Sequence, residues 1–178
     1  MPLLILLAIA VILLIMYISI SNKLARSIVK IDEAESSIDV ALTKRYDVLT
    51  KQLDITKAFA EHEKETLETV INLRKGMSLA EKSEAIKERA RVQERINVVA
   101  ESYPELRSSE NFRQLQIAVN DVEEHLQAAR RAYNANVSAY NQMLVVFPDS
   151  VVANIKHLAA REFFEAEEIK RQDVKMQF

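Results

Sequence analysis

Residues 3–20 read LLILLAIAVILLIMYISI, an apolar run broken only by Ser19. As a helix rising about 1.5 Å per residue it would measure roughly 27 Å, close to the hydrocarbon thickness of a bilayer. We read residues 1–21 as a transmembrane helix rather than a signal peptide or a buried core helix. A signal peptide wants a basic leading region and a small-residue cleavage site, and Ser19-Ile20-Ser21 imitates one poorly. Pro2 suits the first helical position, where its missing N–H would have had no partner.

Beyond this run the pattern changes to single apolar residues three or four apart. Ile28, Ile31, Ile38, Leu42, Leu49, Leu53, Phe59, Val70 and Leu73 form one seam, as a helix packed on one face requires. With neither Gly nor Pro from residue 3 to residue 75, one continuous helix is permitted. Glu35 and Arg45 interrupt the seam. An unpaired charge buried there costs several kcal/mol, so either partners reach them from other helices or that face is wet or part of an interface. A wet or interface face is the expectation.

Gly76, the one glycine, is placed as a helix-ending residue, and Ser78-Leu-Ala-Glu81 reads as a capping box opening a second helix over residues 79–102. Its stripe, Ile86, Ala90, Ile96 and Val99, is thin, so it should be the most solvated helix. Tyr103-Pro104 ends it, and Ser108 or Ser109 can cap the third. That helix has the cleanest pattern. Phe112, Leu115, Val119, Val122, Leu126, Ala129, Tyr133, Val137, Tyr140, Leu144 and Phe147 keep near-heptad spacing and should be the hub of the core. Pro148 stops it, and Asp149 caps a fourth helix with the face Val152, Ile155, Leu158, Ala159 and Phe163.

The pattern therefore predicts an all-α fold: an N-terminal transmembrane helix continuing into a long up-down bundle of about four helices, residues 22–168, with a flexible tail over 169–178. Because the first and third helices are longer, parts of their seams should lack a partner within the chain, which predicts a homo-oligomer.

Composition narrows the chemistry. All 24 basic and 26 acidic residues follow the apolar run, and the net charge is −2. That balance argues against nucleic-acid binding, which needs a dense basic face. Lys23, Arg26 and Lys30 precede the first acidic residue, so charge asymmetry favours the following domain in the cytoplasm, with the bilayer as partner. The absence of cysteine removes thiolate chemistry, and a single glycine leaves no phosphate loop.

His62, His125 and His157 fit no ligand pattern: none follows a Glu three residues before it, and His62-Glu63 fails as a zinc motif because Thr66 stands where the second His belongs. Asp32-Glu33 and Glu123-Glu124 point about 100° apart on a helix and read as surface charge. No catalytic residue, cofactor, metal site or small-molecule substrate is expected. The most distinctive constellation is Tyr133-Asn134 repeated as Tyr140-Asn141, with Phe147 seven further on. Spacing of nearly two turns stacks the aromatics on one seam with the asparagines beside it. The pair can bond across to a neighbouring helix or act as a ladder for a partner helix.

These residues carry a resemblance. Asp32-Glu33-Ala34, Ile38-Asp39-Val40, Leu42, Arg45, Asp47, His62-Glu63 and Glu65, then Tyr103-Pro104, Phe112, Leu115-Gln116, Glu123, Ala129-Arg130, Tyr133-Asn134, Val137, Tyr140-Asn141, Phe147-Pro148, Ala153 and Phe164-Glu165, are similar in order and spacing to the LemA family over residues 1–166. Glu35 stands where that family typically has an aromatic, Ala41 where it has Gln, and Thr50-Lys51 in the place of a Pro-Asn pair, so a break in the first helix should be absent. The resemblance implies a single-pass protein of the bacterial inner membrane with a helical bundle and, by analogy with relatives associated with magnetosome membranes, a part in shaping or organising membrane. The expectation is a non-enzymatic, membrane-anchored scaffold that self-associates and organises membrane or as yet unidentified partner proteins. The alternative is a relay coupling the bilayer to a partner-binding bundle.

Overall fold

A computed structural model describes residues 1–59 and 77–164. The described residues contain helices and no strand. They are α1 (Pro2–Phe59), α2 (Leu79–Ser102), α3 (Pro104–Ser108), α4 (Glu110–Val145) and α5 (Asp149–Ile155). The all-α expectation is met. Gly76, His62, Val70, Leu73, Glu165 and the tail over 169–178 lie outside the described residues.

The 58-residue α1 passes through Thr50-Lys51 without a break; the Thr50 hydroxyl folds back on the Tyr46 carbonyl at 2.9 Å. Side chains of residues 1–16 are exposed, whereas Leu24, Ile31, Ile38 and Leu42 are fully buried. One helix thus passes from an exposed apolar stretch into a packed one. The boundary falls where the apolar run gives way to period-seven spacing.

The chain divides into two compact units, Met1–Ser36 with Arg130–Phe163, and Ser37–Ala129 with Phe164–Phe178. In the first, α1 and α4 are antiparallel. Ser27 meets Met143 through its hydroxyl and sulfur at 3.8 Å, and the Asn136 amide donates to the Lys30 carbonyl at 3.0 Å. In the second, Asp39 pairs with Lys82 at 2.7 Å, Leu42 accepts from Arg89 at 2.9 Å, and Leu49 and Leu53 share a core with Val92, Ile96, Ala100, Leu106 and Phe112. Both sets of numbers rise together, so α1 and α2 run in the same direction. α4 opposes α1, since Arg45 meets Glu123 at 3.2 Å and Leu49 and Leu53 meet Phe112.

One start behaves as expected. Ser78 and Glu81 form the full capping box: the Ser78 N–H donates to Oε2 of Glu81 at 2.7 Å and Oγ of Ser78 accepts from the Glu81 N–H at 3.3 Å. Such a cap contributes about 1 kcal/mol. α2 ends at Ser102, before Tyr103-Pro104, as expected; Pro104 then opens the short α3, which the pattern did not predict, at a position where proline loses no hydrogen bond.

Three expectations change. α2 is not merely solvated. It buries Lys82, Ala85, Ile86, Arg89, Val92, Ile96 and Ala100, a heptad stripe that includes two cations, while Ala90 faces out. The seams of α1 and α4 are covered within the chain, with Leu24, Ile31, Ile38, Val122, Leu126 and Val137 at 1% exposure or less, so the premise of unpartnered seams does not hold there.

The fourth helix is shorter than its pattern suggested. Pro148 occupies the cap, Asp149 is the first helical residue, and α5 ends at Ile155. The end is a left-handed one. His157 has φ 52°, its N–H donates to Asn154, and the Leu158 N–H reaches the Ala153 carbonyl at 3.1 Å. These two bonds make a Schellman motif with histidine in the place usually held by glycine. Residues 158–164 then continue without helix or strand, so Leu158, Ala159 and Phe163 do not share a helical face with Val152.

Candidate functional site: the Tyr-Asn face and its strap

The doubled Tyr-Asn of α4 meets the non-helical segment after α5. Tyr133 donates its hydroxyl to the Glu162 carbonyl at 3.1 Å, and Tyr140 does the same to Ala159 at 3.2 Å. Asn141 reads both sides of one backbone position. Its Nδ2 donates to the Arg161 carbonyl at 2.9 Å and its Oδ1 accepts from the Arg161 N–H at 2.9 Å. A segment without ladder or helix leaves its peptide groups in need of partners, and side chains seven residues apart on a stiff helix supply them. Burial raises the Tyr140 pKa above the usual phenol value, against a smaller lowering by Arg161.

Asn134 is half-buried one residue from Tyr133. Phe147 does not join the stack. It is 77% exposed because α4 ends at Val145, so the helical phase that would carry it onto the seam is lost.

The basic residues after the apolar run take different roles. Lys23 pairs with Asp149, while Arg26 is exposed. Lys30 is exposed as well, and its carbonyl receives Asn136. Sequence reasoning missed Asp149 as the counter-ion, having read it only as a cap. Lys156 adds a bond to the Ser21 hydroxyl, and Arg161 lies 3.7 Å from Asp32. The end of the apolar run, the α4–α5 corner and the strap are thereby tied to one stretch of α1.

The two charges that interrupt the seam fall one in each unit. Glu35, at the end of the first unit, is half-buried. Arg45 is not at a wet face: its side chain is 12% exposed and Glu123 of α4 meets it. Arg89 lies on the same side, 1% exposed, with its guanidinium 5.4 Å from the centre of the Tyr46 ring. Burial, reinforced by Arg45, pulls its pKa down to about 10. Arg89 was hidden in a charge-rich helix. The period-seven series Lys82, Arg89, Ile96 was the one signal that could have found it.

His125 and His157 are exposed, and among the described residues no group of three His, Asp or Glu converges as a metal site would need. What the arrangement does is hold helices and a strap in register.

The LemA family model matches residues 34–178. The chain belongs to the LemA family. It is also 28% identical over 163 residues to protein LemA of Metamycoplasma hominis, a match that spans 89% of this chain and 74% of that relative. The family-model match takes in Arg45, the Tyr-Asn pairs and the strap through Phe164. The family's helical region thus begins within α1, downstream of a run that is long and apolar enough to cross a membrane.

Proposed function

We propose that this LemA-family chain is a membrane-anchored, non-enzymatic helical scaffold, which self-associates and organises membrane or partner proteins at the inner face of the cell membrane. The observation that carries the reading is the continuity of α1. Large apolar side chains from Leu3 to Ile15 stand exposed, and the same unbroken helix enters a packed core by Leu24. Each such side chain left in water forfeits about 1.5–3 kcal/mol, so a lipid environment for this stretch is strongly favoured. Lys23, Arg26 and Lys30 support a cytoplasmic domain by the positive-inside rule.

The anchor supports assembly in a simple way. Tethering every copy to one surface raises the effective concentration of any weak contact between domains. Crosslinking in native membranes tests this: a ladder above monomer is expected, and monomer alone would overturn self-association. Extraction with alkaline carbonate tests the anchor; release into the soluble fraction would overturn it.

One observation favours a second reading, a relay coupling the bilayer to a partner-binding bundle. The stiff helix leaving the apolar segment carries Arg45 into the interior beside Arg89, and buries Gln52 further along, and unpaired polar groups are costly to bury at such a level. A compact monomer or dimer with a partner whose binding responds to the bilayer would favour the relay over the scaffold.

A further inference from the structure

The corner between α4 and α5 exposes a cluster of large apolar side chains at one level of the first unit. Val145 and Phe147 are 78% and 77% exposed, Val146 and Ile155 57% and 59%, and Val151 49%. Apolar side chains gathered in this way on a small domain mark a contact surface.

Its place along α1 says which contact. Asp149 is paired with Lys23, and Lys156 with Ser21. Both anchors are the first polar residues after the apolar run, within about 5 Å of its end by helical rise. Protein also covers the last turn of the run itself, since Tyr17 is half-buried and Ile20 is 7% exposed. The folded unit therefore reaches down to the level at which the run ends, and the apolar corner is at that level too. Lys156 and Arg26, both exposed, add positive charge beside it, which suits an anionic headgroup layer.

We propose that residues 145–156 lie in the headgroup–acyl boundary of the bilayer that α1 crosses, giving the domain a second lipid contact beside its anchor. The proposal rests on the membrane-anchor reading above. Elements at this boundary bury apolar side chains roughly 5–10 Å deep while their cations stay among headgroups. The alternation of Phe147, Val151 and Ile155 with buried Asp149, Val152 and Ala153 fits such a wedge, with one side held by α1 and the other left for lipid. Two attachment points fix the domain's orientation on the surface, which a single helix cannot do.

The chain has no cysteine, so single-site labelling of the full-length protein is direct. Phe147→Cys and Val151→Cys, with Ala132→Cys as an aqueous control exposed on α4, are labelled with an environment-sensitive fluorophore. They are then reconstituted in phosphatidylcholine–phosphatidylglycerol vesicles with or without brominated acyl chains. Labels at 147 and 151 are expected to shift to the blue and lose most of their emission to the brominated lipid, while the label at 132 keeps its intensity. If the protein floats with the vesicles but 147 and 151 are quenched no more than 132, the corner is not in lipid and the proposal fails with the anchor intact. Efficient disulfide formation between copies at 147, without quenching, would assign the corner to a second copy and would also overturn it. Failure to float at all removes both readings together.

Discussion

Asn141 and Arg161 exchange two hydrogen bonds of 2.9 Å, side-chain amide against backbone peptide. The pairing copies one rung of a sheet without a second strand. Asn141→Ala removes both halves and is expected to cost about 1–2 kcal/mol. Asn141→Asp keeps the acceptor and loses the donor, and should fall between. Urea titration of the protein in mild detergent checks the order; an alanine variant as stable as the parent would mean that the strap is held elsewhere.

Alkaline pH should act on two buried groups with opposite sign. The folded-state pKa of Tyr140 is raised, so its contribution is present below the unfolded value and is lost as pH climbs through the folded one. The folded-state pKa of Arg89 is depressed to about 10, well below the usual guanidinium value, so the unfolded chain binds more protons above pH 10 and stability gains with rising pH. Comparison with non-titrating variants isolates each. The advantage of the parent over Tyr140→Phe should shrink above pH 10, and its balance against Arg89→Met should move in the parent's favour from pH 10 towards 12. Two parallel stability-against-pH curves would contradict these assignments.

Gln52 is fully buried, and neither of its amide atoms meets a partner among the described residues. Desolvating an amide without replacing its bonds costs about 1–3 kcal/mol. Gln52→Leu, next to the buried Leu49 and Leu53, should therefore raise stability by an amount of that order. A loss of stability in thermal unfolding would show that the amide is engaged.

His157 holds φ 52° at the end of α5, a region in which a side chain costs about 1 kcal/mol and glycine nearly nothing. His157→Gly should stabilise by about 0.5–1 kcal/mol, less the added freedom of the unfolded chain, and His157→Val should destabilise by more. The two variants measured side by side give the sign.

The places where reading the chain succeeded and failed have a common cause. The capping box at Ser78 and Glu81 and the end of α2 before Tyr103-Pro104 were legible because each depends on residues within one turn of each other. The stop of α5 was not. Its Schellman end uses a histidine where a glycine would announce it, and three apolar residues beyond happen to keep helical spacing. Arg89 and Lys82 were passed over because charge usually marks an outer face, while here a long aliphatic stem crosses the core to reach the Leu42 carbonyl or Asp39.

Local spacing and polarity were enough to establish an all-helical chain, an apolar opening run suited to lipid and the seams of α1 and α4, since these follow from the period of the helix and the cost of wetting hydrocarbon. Which helix lies beside which, and in which direction, was decided only in three dimensions. The parallel course of α1 and α2, the meeting of Arg45 with Glu123 and the capture of residues 159–162 by the Tyr-Asn face join positions far apart in the chain. A repeat along one helix specifies that a face must be covered; it carries no information about the identity of the segment that covers it.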